Sequence, residues 1–457
     1  MREGKGRWLG FAVLGAIPCI LAVAELGRLH PDEVFQVLEP AYFRAHGYGI
    51  LAWEWRQGVR NWAFPGLLAG ILKLCDFVGI THPVAYRAAL AIPQWALHTL
   101  ALAAVHRYLC RRVSLQLAGA GLMLFALNGW VLAFAGRTLG EAISADFLVL
   151  AFDALDECDW GTGSKKSRAA IGAGLWLGLA VVARYGSLIF TAVALSSLLI
   201  QRSFRTLGWV ILSGASVALA LGILDWVTWG QPFHSLLEYF QFNVSSGQAA
   251  VRYGTEGGAF YLAKLAYYLT PWAWFGLPVA FLPSRRRPWL LVLGVATYVT
   301  AISWVPHKED RFLYPALVLL MLAALPGVLQ GVTQIHSALK RVVMVAVGLA
   351  VGLLAWRFRA DPRGDEIRAI VASTRDEEAR GLLIVGEGLW GSGGYFYIGK
   401  NIPWRVCDFA QSPEFKYAAA DPRFNRAVTF QESQISALLD AGFRIDRRIG
   451  RETLLRR

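Results

Sequence analysis

Apolar stretches of about 17–25 residues, long enough to cross a bilayer, recur along this chain between short polar turns. They predict spans at approximately 8–27, 85–105, 114–134, 140–156, 169–183, 186–201, 207–226, 260–282, 288–305, 312–330 and 341–357. The stretch 62–80 is apolar too, but Pro65 and the interruption at Lys73, Cys75 and Asp76 make it a juxtamembrane or re-entrant element. Beyond residue 358 the runs shrink to strand length, at Leu382–Glu387, Ile402–Val406, Ala427–Phe430 and Phe443–Gly450. Within Glu432–Ala441, Ile435, Leu438 and Leu439 fall at helical spacing. The pattern predicts an all-α, polytopic membrane domain over 1–357, with a first outer loop over 28–84, and a small α/β domain over 358–457.

Composition supports the membrane reading. Only 17% of residues are charged and 56% are hydrophobic, against roughly a quarter charged in soluble proteins. The net charge of +13 has a simple source in loops that face the cytoplasm. The basic clusters are Arg2, Lys5 and Arg7; Arg107, Arg111 and Arg112; Lys165, Lys166 and Arg168; Arg202 and Arg205; Arg285 to Arg287; and Lys340 with Arg341. Placing all of them inside gives about eleven spans, with the N-terminus inside and the C-terminal domain outside. The first apolar run lacks a small-x-small cleavage site and reads as an uncleaved span. No basic face with interleaved aromatic residues is present, so no nucleic-acid partner is expected. The five cysteines show no CxxC spacing, which supports neither zinc nor a disulfide framework. Gly391-Ser392-Gly393-Gly394 lacks the GxGxxG pattern and reads as a loop, not a nucleotide cradle.

With that topology the unusual polar motifs gather on the outer side. They are the His30–Arg60 loop, Gly136-Arg137-Thr138, Arg184-Tyr185-Gly186, the Asp225–Gly258 loop, and His307-Lys308-Glu309-Asp310-Arg311. Acidic neighbours such as Asp32 and Glu33 beside a membrane helix are costly unless solvated or used. They serve either as a helix cap at the interface or as functional carboxylates. Trp53-Glu54-Trp55 and Arg60-Asn61-Trp62 read either as an aromatic belt or as a sugar-stacking surface. In the second polar motif Arg311 offers a planar fork and Lys308 a point charge for a phosphate. Arg137 and Arg184, each at the outer end of a span, can join them or simply snorkel.

His30-Pro31-Asp32-Glu33 with Phe35-Gln36 and Glu39-Pro40, then Trp53-Glu54-Trp55 and Arg60, resembles the first outer loop of glycosyltransferase family 22. That family comprises lipid-phosphosugar-dependent mannosyltransferases of GPI-anchor and N-glycan precursor assembly. His307-Lys308-Glu309-Asp310-Arg311-Phe312-Leu313-Tyr314-Pro315 is similar to its second signature. Gly136-Arg137-Thr138-Leu139, Asp225 with Trp229-Gly230, Asn243 and Tyr253-Gly254 match weaker blocks. Arg184-Tyr185 and Gly140-Glu141-Ala142 depart from the family pattern, which leaves the acceptor open.

The resemblance implies a GT-C fold and an inverting transfer of mannose from a polyprenyl-phosphate carrier to a glycan or glycolipid acceptor, without metal or cofactor. Asp32 is the expected base, helped by Glu33. Donor phosphate falls to His307, Lys308, Arg311 and Arg184; the remaining substrate contacts fall to His30, Gln36, Glu39, Trp53, Glu54, Arg60, Arg137 and Tyr253. A compact, Ala/Gly-rich chain with short loops points to a bacterial member whose site faces the periplasm, or the ER lumen if the source is eukaryotic. Transfer of another polyprenyl-phosphosugar, carrier transport and a non-catalytic assembly role stay open as alternatives.

Overall fold

The computed structural model describes residues 2–27, 31–281, 288–334, 361, 363–386, 388, 392–410 and 412–457. His30, the expected span at 341–357 and Gly391 lie outside the described residues. The chain divides into two compact units. One takes in Met1–Cys19, Gln57–Ala63 and Pro93–Arg359, the other Ile20–Arg56, Phe64–Ile92 and Ala360–Arg457.

The first part of the chain is helical: α1 (Arg2–Ala24), α2 (Glu39–His46), α3 (Trp53–Arg56), α4 (Ala63–Phe77), α5 (Pro83–Cys110), α6 (Leu115–Ala126), α7 (Gly129–Phe134), α8 (Gly140–Trp160) and α9 (Gly163–Ala183). There follow α10 (Leu188–Ile200), α11 (Phe204–Trp229), α12 (His234–Phe240), α13 (Gln248–Tyr253), α14 (Phe260–Tyr268), α15 (Pro271–Ala280), α16 (Trp289–Trp304) and α17 (Tyr314–Thr333). Five helices among the described residues are long and apolar enough to cross a membrane: α1, α5, α9, α11 and the one entering α17 from Asp310. At 15 residues α4 extends about 22 Å, short of a hydrocarbon core of about 30 Å.

Two expected spans are broken. Residues 114–134 divide into α6 and α7, because Asn128 caps α7 by accepting the Trp130 N–H at 3.0 Å. Residues 260–282 divide into α14 and α15, where Thr270 is extended and Pro271 opens the second helix. Both local signals sit inside unbroken apolar runs, which the span reading follows instead.

At the centre of the first unit α17 is apolar and buried all round, as expected of a core helix. Its Gly327 and the Gly276 of α15 each meet the other helix's backbone so closely that a Cβ has no room; small residues bring helices together in this way within membranes. α8 is buried along most of its length although it carries Glu141, Asp146, Asp153 and Asp156. Each acidic group therefore needs a partner. Asp146 accepts from Gln94 at 3.3 Å and pairs with His98 at 2.9 Å. Asp153 and Asp156 bind Arg107, Arg111 and Arg112 at the opposite end from Glu141.

The second unit holds a five-stranded sheet: β1 (Leu382–Val385), β2 (Trp404–Cys407), β3 (Arg426–Thr429), β4 (Arg444–Ile449) and β5 (Glu452–Arg456), in the order β2-β1-β3-β5-β4. β1 is parallel to β2 and β3, while β5 is antiparallel to β3 and β4. Helices α18 (Gly364–Thr374), α19 (Gly394–Ile398), α20 (Pro413–Ala420) and α21 (Glu432–Asp440) accompany it. Alternate residues of β1 serve opposite cores: Leu383 and Val385 pack with Phe415, Leu438 and Phe443, whereas Leu382 and Ile384 pack with Ile370, Val428 and Leu454. Sequence patterning finds four strands and α21 but passes over β5, α18, α19 and α20.

Candidate active site

In the second unit the segment after Pro31 turns directly into helix. The Pro31 carbonyl accepts from Val34 and Phe35 N–H, and Val34–Leu38 is wound as a π-helix, a distortion frequent at functional sites. The widened turn separates the fates of three carboxylates. Asp32 is half-buried, and its Oδ1 accepts from Gln36 Nε2 at 2.7 Å. That same amide reaches Glu54 Oε1 at 3.2 Å, while Trp55 Nε1 donates to the Gln36 carbonyl. Asp32, Gln36 and Glu54 thus form one connected polar cluster, and the neighbouring Trp53 is buried. Glu33 points elsewhere, into a 2.7 Å ion pair with Arg87, whose side chain is fully buried.

Glu39 has no solvent exposure. Its Oε1 accepts the Ile50 and Tyr395 N–H groups at 2.8 and 2.9 Å, and its Oε2 accepts that of Phe396 at 2.8 Å. Burial pushes its carboxyl up to about 7, against the lowering effect of those N–H donors. The sequence suggests a substrate contact here; the geometry is that of an anchor for the α19 segment.

In the first unit the signature loop and three helix ends converge. Arg184 ends α9, and its Nη1 donates to Glu141 Oε1, at the start of α8, at 2.6 Å. Arg311 Nη1 lies 3.5 Å from the same oxygen, and its Nε donates to Glu309 Oε2 at 2.6 Å. Both guanidiniums stand over the ring of Phe312, at 4.4 and 5.2 Å from its centre. Tyr298 fixes that residue by donating to the Phe312 carbonyl at 2.9 Å. The Glu309 N–H donates to Tyr261 Oη, and His307 Nε2 sits 3.1 Å from Glu309 Oε1. Burial alone would raise the Glu309 carboxyl, but the Arg311 charge and the hydrogen bonds from Arg311 and His307 hold it down at about 2.

Other expected residues fall around this core. Lys308 is buried and donates to the Glu256 and Pro306 carbonyls at 2.9 and 3.4 Å. The Tyr253 ring lies 5.2 Å from that of His307. Arg137 is buried in the turn before α8. The Arg60 carbonyl accepts from Trp229 Nε1 at 3.2 Å, and the charge of Arg60 acts on Glu141. Next to it, Asn61 donates to the Val182 carbonyl and to Tyr185 Oη, both at 2.9 Å.

Sequence reasoning missed Glu141 and Arg87 as members of these clusters. The available signals were an acidic residue in the first turn of a largely apolar helix that carries several further acidic residues, and an arginine inside a long span. Among the described residues no three His, Cys, Asp or Glu side chains converge as a metal site.

This architecture is that of a GT-C glycosyltransferase, a multi-span helical protein with a small α/β domain. Its backbone superposes on the solved ArnT from Cupriavidus metallidurans bound to undecaprenyl phosphate with a TM-score of 0.60 at 10% identity, covering 99% of this chain and 98% of that one. The chain belongs to the Alg9-like mannosyltransferase family, whose model matches residues 8–360. It is 28% identical to GPI mannosyltransferase 3 of Yarrowia lipolytica over 76% of this chain and 66% of that protein. It is 26% identical to GPI alpha-1,2-mannosyltransferase 3 of Homo sapiens over 63% of this chain and 51% of that protein. The matches thus span two thirds or less of these relatives' length. Both relatives are eukaryotic, so the expectation of a bacterial member is not borne out.

Proposed function

We propose that this integral membrane protein is an inverting mannosyltransferase that uses a polyprenyl-phosphate-mannose donor and a glycolipid acceptor. The observation that carries the reading is the convergence of Arg184 and Arg311 on Glu141 beside the His307–Arg311 signature. A departing lipid phosphate gains charge, and fixed cations in a water-poor setting meet that need. Arg184 and Arg311 are the phosphate ligands in this reading, with His307 and Lys308 shaping the loop that presents Arg311.

The single displacement also requires a base. Asp32 is assigned that role: it takes the acceptor hydroxyl proton as the new C1–O bond forms and the C1–O(phosphate) bond breaks. Glu33 is committed to Arg87 and is assigned to hold the segment. Gln36 orients Asp32 and links it to Glu54. The relatives' names favour a GPI-type glycolipid as acceptor. The basic cluster Arg107, Arg111 and Arg112 at the far end of α8 supports a cytoplasmic location for that end and a lumenal one for the Glu141 end.

The test is transfer from short-chain polyprenyl-phosphate-mannose to a host glycolipid extract by purified protein in lipid nanodiscs, beside Asp32→Asn. Asparagine keeps the shape but cannot accept the proton. The expected result is a fall of about 10³-fold with donor binding retained. Full activity in Asp32→Asn would move the base elsewhere, and absence of donor binding by wild type would favour another donor or a transport role.

A further inference from the structure

Among the described residues, Glu141 is the one buried carboxylate that touches both proposed phosphate ligands. Its side chain is 2% exposed, with Arg184 at 2.6 Å and Arg311 at 3.5 Å. An anion in that position has a specific consequence for a reaction that changes the charge of the lipid phosphate. The donor is a phosphodiester with one negative charge. Transfer breaks C1–O, the electron pair stays on the phosphate oxygen, and the acceptor proton leaves to Asp32. The product polyprenyl phosphate is then a monoester carrying about −1.5 to −2 at neutral pH. Without Glu141 the two guanidiniums above Phe312 would keep Glu309 as a counter-charge but would bind that product more tightly than the donor, and release would slow.

We infer that Glu141 is a counter-charge that positions Arg184 and Arg311 and limits their preference for the monoester product over the diester donor. This rests on the donor assignment made above. The wiring fits the role: Arg311 is also held by Glu309, so removing Glu141 leaves that guanidinium in place while raising the net positive charge of the cluster. Glu141 touches neither sugar nor reacting atoms in this scheme. It is a positioning residue, and loss of fold alone would not reproduce its signature.

The experiment compares wild type, Glu141→Gln and Arg184→Gln, each as the full chain in nanodiscs. It measures dissociation constants for a short-chain polyprenyl phosphate and for the corresponding polyprenyl-phosphate-mannose, together with kcat and KM. In Glu141→Gln the monoester should bind at least about tenfold more tightly, a lower bound for removing one nearby like charge at an effective dielectric constant of about 20. The diester should gain less than the monoester, since it carries about half the charge, and kcat and KM should fall together as release slows. In Arg184→Gln the order reverses, with the monoester weakened more than the diester. Monoester affinity that is unchanged or weaker in a folded Glu141→Gln protein overturns the inference. If that variant does not fold, equal weakening of both ligands in Arg184→Gln overturns it. Wild type that binds neither ligand would defeat the donor assignment itself, a result distinct from either of these.

Discussion

The two ends of α8 carry buried ion clusters of similar make-up and different construction. At one end Asp153 and Asp156 meet Arg107, Arg111 and Arg112, all from α5 and the turn after it. Arg107 and Arg111 both reach Asp153, and Arg111 and Arg112 both reach Asp156. At the other end Glu141 meets Arg184 from the end of α9 and Arg311 from the start of α17. The first cluster joins two neighbouring helices, and each aspartate is shared by two arginines. The second draws on separate segments and places both of its cations over one ring, Phe312, where the first has Arg112 over Tyr108; in each, one carboxylate oxygen is shared between two guanidiniums. A buried pair is weak evidence for stability in itself, because desolvation offsets the Coulomb gain. On the proposed function the first is a rivet between neighbouring helices and the second, beside the His307–Arg311 signature, is the site that meets an incoming anion.

The largest expected effect lies at the site end. Arg184→Ala should lower kcat/KM of the folded protein by about 10³-fold, the scale of losing a fixed cation from a developing charge, and should also cost stability, since Glu141 loses its nearest partner. Transfer assays on detergent-monodisperse protein check this; activity within a few-fold of wild type would make Arg184 another rivet. The rivet end should behave in the opposite way. Asp153→Asn takes a carboxylate from Arg107, which is 48% exposed, and from Arg111, which keeps Asp156, and should cost about 1–3 kcal/mol of stability. Activity per folded molecule should be unchanged. Thermal unfolding in nanodiscs, paired with active-site titration, separates the two outcomes.

The sequence made parts of this comparison visible and hid others for physical reasons. The His307–Arg311 signature stood out because five ionisable residues in a row are costly between apolar spans. Arg107, Arg111 and Arg112 were legible as a basic loop, but their pairing with α8 was not, since an acidic helix face inside a membrane protein gives no clue to its partner. Glu141 stood in the sequence only within Gly140-Glu141-Ala142, a departure from the family pattern. Its role arises from chain ends far apart in sequence, which no local pattern encodes. Glu39 shows the converse: it belongs to the family-like loop, yet its carboxylate is occupied by the backbone N–H groups of Ile50, Tyr395 and Phe396. The breaks at Asn128 and Pro271 were present as capping signals and were overridden by hydropathy.

Acid sharpens the comparison further, because Glu309 belongs to the site and titrates outside the spans. Its folded carboxyl sits at about 2, below its ordinary value of 4.5, so it contributes stability that is present above pH 4.5 and is lost as pH falls toward 2. The side chain is 35% exposed, so screening reduces the contribution to about 1 kcal/mol. Unfolding followed between pH 6 and 3 should show wild type losing about half or more of that increment and Glu309→Gln, which has no proton to gain, lacking it. Parallel pH profiles for the two proteins would mean that Arg311 and His307 do not act on Glu309 as the geometry indicates.

The smallest expected effect tests whether distance alone is what separates these clusters from ordinary surface pairs. Arg448 and Glu432, on β4 and α21, approach to 2.9 Å, closer than Arg311 is to Glu141. They are 57% and 75% exposed. In water the Coulomb gain is small, ordering two long side chains costs entropy, and salt screens what is left. A double-mutant cycle with Arg448→Ala and Glu432→Ala should return a coupling within about 0.5 kcal/mol and falling with added salt. A coupling above about 1.5 kcal/mol would exceed what exposed pairs give and would mean that proximity by itself governs these interactions. Burial would then lose its place as the property distinguishing both ends of α8 from the surface of the sheet.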